Sequence, residues 1–138
     1  GLFFGAADSS ASLGCKLAWE PLLYARQKVV LAAAMYNLFT IDAPFFYMDD
    51  KEGLKKEAEA VKNLGFTGKA AIHPDQIDFI NESFAPTSEE IAEGKKVLEE
   101  YQKSGGGAVK IDGQMVDEPI AEAMRLKISL GEEEEKED

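Results

Sequence analysis

Apolar positions along the chain alternate between short unbroken runs and stretches with helical periodicity. Each unbroken run predicts a short buried strand, because its apolar residues are consecutive and a carboxylate or a proline closes it. The runs are GLFFGAAD, LFTIDAPF and GKAAIHPDQ. The first strand is expected to end at Asp8, the second at Asp42 and the third before Pro74.

Amphipathic stretches follow each run and predict helices. In order they are WEPLLYARQKVVLAAAMYN, KEGLKKEAEAVKNL, DQIDFINESF and TSEEIAEGKKVLEEYQK. Pro21 suits the first turn of the long first helix, and Gly65 suits the end of the second. Thr87 and Glu90 have the spacing of a capping box, which predicts the start of the fourth helix.

The last part of the chain has a different pattern. AVKIDGQMV predicts two short strands around a turn at Asp112 and Gly113, since Asp-Gly favours tight hairpins. A final helix is expected after it, with Pro119 in its first turn. Taken alone, Asp117 fits the N-cap of this helix and Asp112 fits a structural turn residue.

Strands that alternate with helices predict an α/β fold with parallel pairing. No dinucleotide glycine fingerprint or P-loop occurs at a strand-to-helix turn, which disfavours a nucleotide-binding Rossmann fold. In a (β/α)8 barrel, catalytic groups lie at the carboxyl ends of strands, where Asp8, Asp42 and His73 are expected. A complete barrel takes about 250 residues. Three such units therefore predict under half of one.

The net charge of −11 is concentrated at the end of the chain, where residues 131–138 carry six acids and one lysine. This tail is expected to be disordered. Without a basic stripe, a nucleic-acid partner is not expected. No run reaches the roughly 18 apolar residues of a membrane span, so a cytoplasmic protein is expected. The single cysteine, Cys15, is expected to be a buried or incidental thiol.

Several short motifs, in this order, resemble the citrate lyase beta subunit and related CoA-ester lyases of the HpcH/HpaI aldolase superfamily. They are FFGAADSSASLG, LLYARQKVVLAA, IDAPF, GFTGKAAIHPDQ, INESFAPTSEE and GGGAVKIDGQMVDEP. The resemblance implies the C-terminal part of a (β/α)8 TIM barrel, strands 6 to 8, plus a hairpin-helix extension. Its implied divisions are a partial barrel at 1–104, an extension to a neighbouring subunit at 105–130, and the acidic tail.

The activity implied is a Mg²⁺-dependent carbon–carbon lyase. It would cleave or form a β-hydroxyacyl-CoA such as citryl-, malyl- or citramalyl-CoA, with acetyl-CoA and a keto acid on the other side of the reaction. Asp8 matches the magnesium-binding aspartate of the resemblance, although by itself it fits a strand-end or helix cap. Asp117 matches a catalytic acid/base that reaches a neighbouring subunit's site. A homo-oligomer, specifically a trimer, is implied.

Four further residues are expected near the substrate or CoA: Asp42, Pro44, His73 and Pro74. His73, the only histidine, is expected to line the barrel mouth without transferring a proton. Asp42 could also order a loop, as could Asp50. Arg26 and Lys28 are expected as a solvent-facing pair on the long helix.

Three questions stay open at this point. The same scaffold suits a malyl-CoA thioesterase-type hydrolase, and the short chain also suits a non-catalytic half-barrel subunit. The favoured interpretation is that these residues are part of a chain of about 270 to 300 residues. The acyl group could be carried by free CoA or by an acyl carrier protein. Ala7 stands where many similar proteins have an acid, which leaves the substrate open.

Overall fold

The chain divides into two compact units, the first spanning Gly1–Phe84 and the second beginning at Ala85. The computed structural model describes the backbone of residues 1–134 and the side chains of residues 1–129. Within the described part of the chain, no helix is long and apolar enough to cross a bilayer.

The first unit alternates strands and helices, as predicted. A 3₁₀ turn at Pro74–Gln76 precedes the last helix. The elements are β1 (Leu2–Phe3), α1 (Ala6–Leu13), α2 (Trp19–Ala34), β2 (Thr40–Asp42), α3 (Lys51–Leu64), β3 (Gly68–Lys69) and α4 (Ile77–Phe84). The strands form one parallel sheet in the order β1-β2-β3. The predicted parallel α/β pattern is therefore present.

The first strand is shorter than the sequence predicts. β1 ends at Phe3, and Asp8 lies in the first turn of α1 rather than at the end of the strand. Phe3 is 60% exposed, so the expectation of a fully buried strand is also wrong. An eight-residue helix forms where the sequence suggested the end of a strand, and it closes with Gly14 in the left-handed conformation.

Helices cover only one face of this sheet in the described residues. Residues paired across parallel strands share a face, and Phe3 pairs with Ile41, which pairs with Gly68. That face is exposed or half-buried. On the opposite face, Thr40 and Asp42 are buried. The main apolar cluster contains Phe4, Ala6, Leu22, Ala43, Val61 and Phe66.

Gly65 ends α3 with a φ of +100°, and a Cβ atom there would lie 3.0 Å from Cγ1 of Val30. We expect Gly65→Ala to lower the free energy of unfolding by about 1–2 kcal/mol, because alanine is strained at positive φ. Urea denaturation measures this loss. Gly107→Ala is the control, since its Cβ would meet nothing within 4 Å. An equal loss in both variants would contradict the strain argument.

The second unit consists of two helices and a hairpin. Its elements are α5 (Ser88–Lys103), β4 (Val109–Ile111), β5 (Gln114–Val116) and α6 (Glu118–Glu134). The capping box of Thr87 and Glu90 is present, as predicted. The hairpin turns at Asp112 and Gly113, with φ angles of +46° and +90°. Both are positive, as a type I′ turn requires.

The unit boundary differs from the predicted division at 104 and 105. Helix α5 was assigned to the partial barrel, yet its Val97 and Tyr101 share an apolar cluster with Ile111, Val116 and Ala121 of the hairpin and α6. The apolar face of α5 is therefore buried by the extension. Helix α6 continues through Glu134, so it includes the first four residues of the tail expected to be disordered. Residues 135–138 lie outside the described residues.

Candidate functional site

Asp8 projects from the first turn of α1, just beyond the carboxyl end of β1. Its carboxylate folds back over Gly5, where an added Cβ would lie 3.3 Å from Oδ2. Asp8 is exposed, and among the described side chains it has no hydrogen-bond or ion-pair partner. The structure thus places an unpaired carboxylate just beyond the carboxyl end of β1, the end of the strands at which barrels bind their ligands.

Asp42, at the end of β2, is fully buried and joins two cations. Its Oδ1 accepts a hydrogen bond from Nε of Arg26 at 2.8 Å, and its Oδ2 accepts one from Nζ of Lys69 at 2.8 Å. Lys69 also donates to Oε1 of Glu57 at 2.6 Å and to the Ala43 carbonyl at 2.7 Å. These four side chains, Arg26, Asp42, Glu57 and Lys69, are called the ion-pair cluster below. Asp42 can act on a ligand only through its partners in this cluster.

The sequence predicted a solvent-facing Arg26, and this prediction is wrong: the side chain is buried on the inner face of α2. It is 3% exposed, and its guanidinium lies 5.1 Å from the ring centroid of Phe4 and 4.8 Å from that of Trp19. Its ion pair with the buried Asp42 at the end of β2 stabilises this buried position. Lys28 is exposed and lies over the Tyr24 ring, in agreement with its predicted position.

His73 caps the 3₁₀ turn that begins at Pro74. Its Nδ1 accepts the Asp75 backbone N–H at 3.2 Å and lies 3.6 Å from Oδ1 of the Asp75 carboxylate. The imidazole is 48% exposed and lines a cavity of about 340 Å³. Pro44 lines a neighbouring cavity of about 230 Å³, and Tyr47 contributes to both. Asp8 lines neither of them.

Asp50 orders the loop after β2. Its side chain accepts the Gly53 N–H at 2.8 Å and so caps α3. This hydrogen bond agrees with the loop-ordering role that the sequence allowed.

Asp117 caps α6 in the second unit. Its Oδ1 accepts the Ile120 N–H at 3.3 Å, and the residue is half-buried. The neighbouring Glu118 accepts a hydrogen bond from Arg125 at 2.6 Å. This hydrogen bond holds the pKa of Glu118 below its usual value. Of these two adjacent carboxylates, Glu118 is bound to a cation, whereas Asp117 accepts one backbone hydrogen bond and has no ion-pair partner among the described residues.

Asp112, five positions before Asp117, is a turn residue, as expected. Its carboxylate pairs with Lys96 at 2.8 Å on an exposed surface. This pair raises the pKa of Lys96, mainly through the hydrogen bond.

The described residues of the first unit can supply only part of the coordination shell of a magnesium ion. In the part of the chain that the structure describes, no group of three or more His, Cys, Asp or Glu residues could hold a metal. Magnesium needs fewer: it keeps several waters and commonly uses one or two protein carboxylates. The exposed carboxylate of Asp8 fits one such oxygen donor; waters, other residues or a substrate would supply the rest.

Sequence reasoning missed Lys69 and Glu57, and it misplaced Arg26. A signal for Arg26 existed, because it lies four residues after Leu22 on the apolar face of α2. A cation at such a position needs a buried acid as its partner. Lys69 had no comparable signal, since it follows a glycine in a two-residue strand.

The chain belongs to the carbon–carbon bond lyases of the TIM-barrel fold. The model of that family, described as C-C_Bond_Lyase of the TIM-Barrel fold, matches residues 18–122. The first unit is accordingly an α/β fragment of this fold. The suspected kinship with citrate lyase beta-like proteins is confirmed by the relatives described next.

Two relatives and one solved structure illustrate the match. The mitochondrial citramalyl-CoA lyase of Rattus norvegicus is 35% identical over 132 residues, covering 92% of this chain and 39% of that protein. The citrate lyase subunit beta of Haemophilus influenzae is 34% identical over 131 residues, covering 91% and 45%. The crystal structure of CitE from Mycobacterium tuberculosis, in complex with magnesium, acetoacetate and coenzyme A, is 29% identical with a TM-score of 0.84, covering 96% and 52%. The chain thus spans less than half the length of these two relatives.

Proposed function

We propose that this chain forms part of a Mg²⁺-dependent CoA-ester lyase and corresponds to strands 6 to 8 of its barrel. The enzyme would cleave or form the carbon–carbon bond of a β-hydroxyacyl-CoA such as citryl-, malyl- or citramalyl-CoA. The observation that carries the proposal is the free carboxylate of Asp8 at the strand edge. The names of the relatives, and the magnesium and coenzyme A bound to CitE, support it.

Asp8 would contribute one ligand to magnesium. When bound, the metal would supply positive charge at the keto-acid end of the substrate, where the hydroxyl oxygen becomes the keto oxygen. This chain would contribute the Asp8 carboxylate, which pairs with no cationic side chain among the described residues.

Asp117 would be the proton carrier. Cleavage turns the substrate hydroxyl into the keto group, which releases a proton, and leaves the electrons of the broken carbon–carbon bond on the α-carbon of the thioester. The Asp117 carboxyl group would protonate that carbon to give acetyl-CoA, so that overall one proton moves from the hydroxyl to the α-carbon. In the synthetic direction its carboxylate would take the same proton. The hydrogen bond from Ile120 to Oδ1 fixes the side chain and leaves Oδ2 for this role.

Asp117 would act in the site of a neighbouring copy, as the resemblance implies. A monomer would then be inactive, and the proposed assembly is a homotrimer. The acyl thioester, on CoA or on an acyl carrier protein, would lie near Pro44, His73 and Pro74. Asp42 would hold the loop after β2 in place through the ion-pair cluster. The cytoplasm is the proposed compartment.

Asp8→Asn tests the metal assignment. We expect turnover of citramalyl-, malyl- or citryl-CoA to fall at least about 100-fold, because the amide removes a charged ligand. Excess magnesium should recover part of that loss. A coupled assay for keto acid across a magnesium titration measures both effects in the full-length enzyme.

Asp78→Asn is the matched control, since Asp78 is an exposed carboxylate on α4 that lines neither cavity. Full activity in Asp8→Asn would refute the metal assignment. Product analysis separates the alternatives: free CoA with an intact hydroxy acid identifies a hydrolase. No turnover of any thioester favours a non-catalytic subunit.

A further inference from the structure

Tyr101, on α5, is 2% exposed and packs beside the segment that bears Asp117. Its ring shares an apolar cluster with Val116, the residue before Asp117, and with Ala121. The Ala121 N–H in turn donates to the Asp117 carbonyl at 2.9 Å. The hydrogen bond from Ile120 to the Asp117 side chain is long for its kind, at 3.3 Å. The direction of the carboxylate therefore also depends on the backbone around it.

The Tyr101 hydroxyl reaches the glycine loop, residues 105–107, which leads into β4. It donates to the Gly106 carbonyl at 2.7 Å. A Cβ atom on any of the three glycines would meet nothing within 4 Å, so the loop depends on hydrogen bonds for its shape. The Ser104 hydroxyl donates a second one, to the Gly107 carbonyl at 3.3 Å. Tyr101 is thus the buried support of an otherwise open loop.

The start of α6 competes with the loop for the same hydroxyl proton. Burial raises the pKa of Tyr101, and the nearby Glu118 carboxylate raises it further. Arg125 lowers the pKa of Glu118, and the Tyr101 hydroxyl adds to that effect. A hydroxyl has one proton to donate, so the Gly106 carbonyl and the Glu118 carboxylate are alternative acceptors. Tyr101 therefore lies between the glycine loop and the residue that follows Asp117.

We propose that Tyr101 is a positioning residue for Asp117. Its hydroxyl joins the glycine loop to the start of α6 and so fixes the direction in which the Asp117 carboxylate points. This role presupposes that Asp117 is the proton carrier proposed above. Proton transfer depends on such placement, because a displacement of about 1 Å can cost about 100-fold in rate. Tyr101 contacts neither substrate nor metal here and acts only through Asp117.

Tyr101→Phe in the full-length enzyme tests the proposal, because phenylalanine keeps the ring in the cluster and removes the hydroxyl. We expect kcat for the thioester substrate to fall about tenfold, while KM changes less than about twofold. In an Asp117→Asn background the same substitution should lower the residual rate less than about twofold, since no carboxylate is left to position. An equal loss in both backgrounds, or no loss in either, would overturn the proposal. Tyr36→Phe is the matched control, because Tyr36 is an exposed tyrosine of the first unit, and its kcat should be unchanged.

Amide hydrogen exchange tests the structural link without turnover, so its failure is distinguishable from failure of the proposed function. In Tyr101→Phe the Ile120 N–H, which bonds to Asp117, should exchange at least about threefold faster, while the Val97 amide within α5 keeps its rate. Unchanged exchange at Ile120 would contradict the proposal even in an enzyme that turned over no thioester. Equal acceleration at both amides would show general loosening and would contradict it as well.

Ser104→Ala provides a second route, since Ser104 is exposed and lies outside the apolar cluster. It loosens the same glycine loop and should lower kcat about threefold, again only where Asp117 is present. This variant decides the matter if Tyr101→Phe does not fold: full activity in Ser104→Ala would then show that the loop does not position Asp117.

Discussion

Asp117→Asn is expected to lower turnover by about 10²- to 10⁴-fold while leaving the stability of the protein unchanged. The rate falls because an amide cannot donate or accept the proton that the α-carbon exchanges. Stability is retained because asparagine caps a helix as well as aspartate does, so the hydrogen bond from Ile120 survives. Steady-state kinetics and thermal unfolding of the full-length enzyme separate the two effects.

Two variants complete this test. Asp117→Ala should lose the same activity and, in addition, about 1 kcal/mol of stability with the cap. Asp112→Asn is the matched control, because Asp112 lies in the hairpin turn and pairs only with the exposed Lys96. Its activity should be normal. If Asp117→Asn were fully active, Asp117 would be a helix cap and nothing more.

Asp117 also allows a test of the proposed assembly. If the acid acts in a neighbouring copy, mixing inactive Asp117→Asn subunits with inactive Asp8→Asn subunits restores some sites that contain both carboxylates. Activity should reappear on mixing and re-association. Two variants that stay inactive together, while mixed oligomers form, would assign both residues to one subunit's site.

Asp42→Asn is expected to lower the free energy of unfolding by about 3–5 kcal/mol, the largest stability effect in the chain. Asp42 is fully buried between Arg26 and Lys69, so neutralising it leaves two buried cations with Glu57 alone. Chemical denaturation measures the loss. Lys69→Met should also destabilise, since it leaves the two acids Asp42 and Glu57 with Arg26 as the remaining cation of the cluster.

The double variant Asp42→Asn with Lys69→Met should lose less stability than the sum of the two single variants, because each partner is costly mainly when the other is left unpaired. Glu99→Gln is the surface control: its partner Lys103 is exposed, and the unfolding curve should not move. Additive losses would show that Asp42 and Lys69 do not stabilise each other.

Helices were easier to predict than strands in this chain. The periodicity of α2 and α3, and the capping box before α5, are local signals, so the positions of these helices can be predicted from nearby residues alone. The strands have two or three residues, too few for a period of two to be visible. The packing of the α5 apolar face against the hairpin and α6 could not be predicted, because it depends on contacts distant in sequence.

The candidate site was predictable to the extent that its residues occupy turns and helix starts. Asp117 and Asp112 both showed their structural positions in the sequence. The buried pairing of Arg26 with Asp42 was not predictable, because it joins residues on different elements. Which face of β2 carries Asp42 depends on the register of the sheet, and a three-residue strand does not reveal that register.

Each apolar cluster of the described residues draws its members from one unit. Val116, next to Asp117, packs with Val97 and Tyr101 of α5, and Ala6, on the helix that bears Asp8, packs with Leu22 and Val61. For natural selection, the residues that hold each carboxylate in place are therefore constrained by neighbours from its own unit.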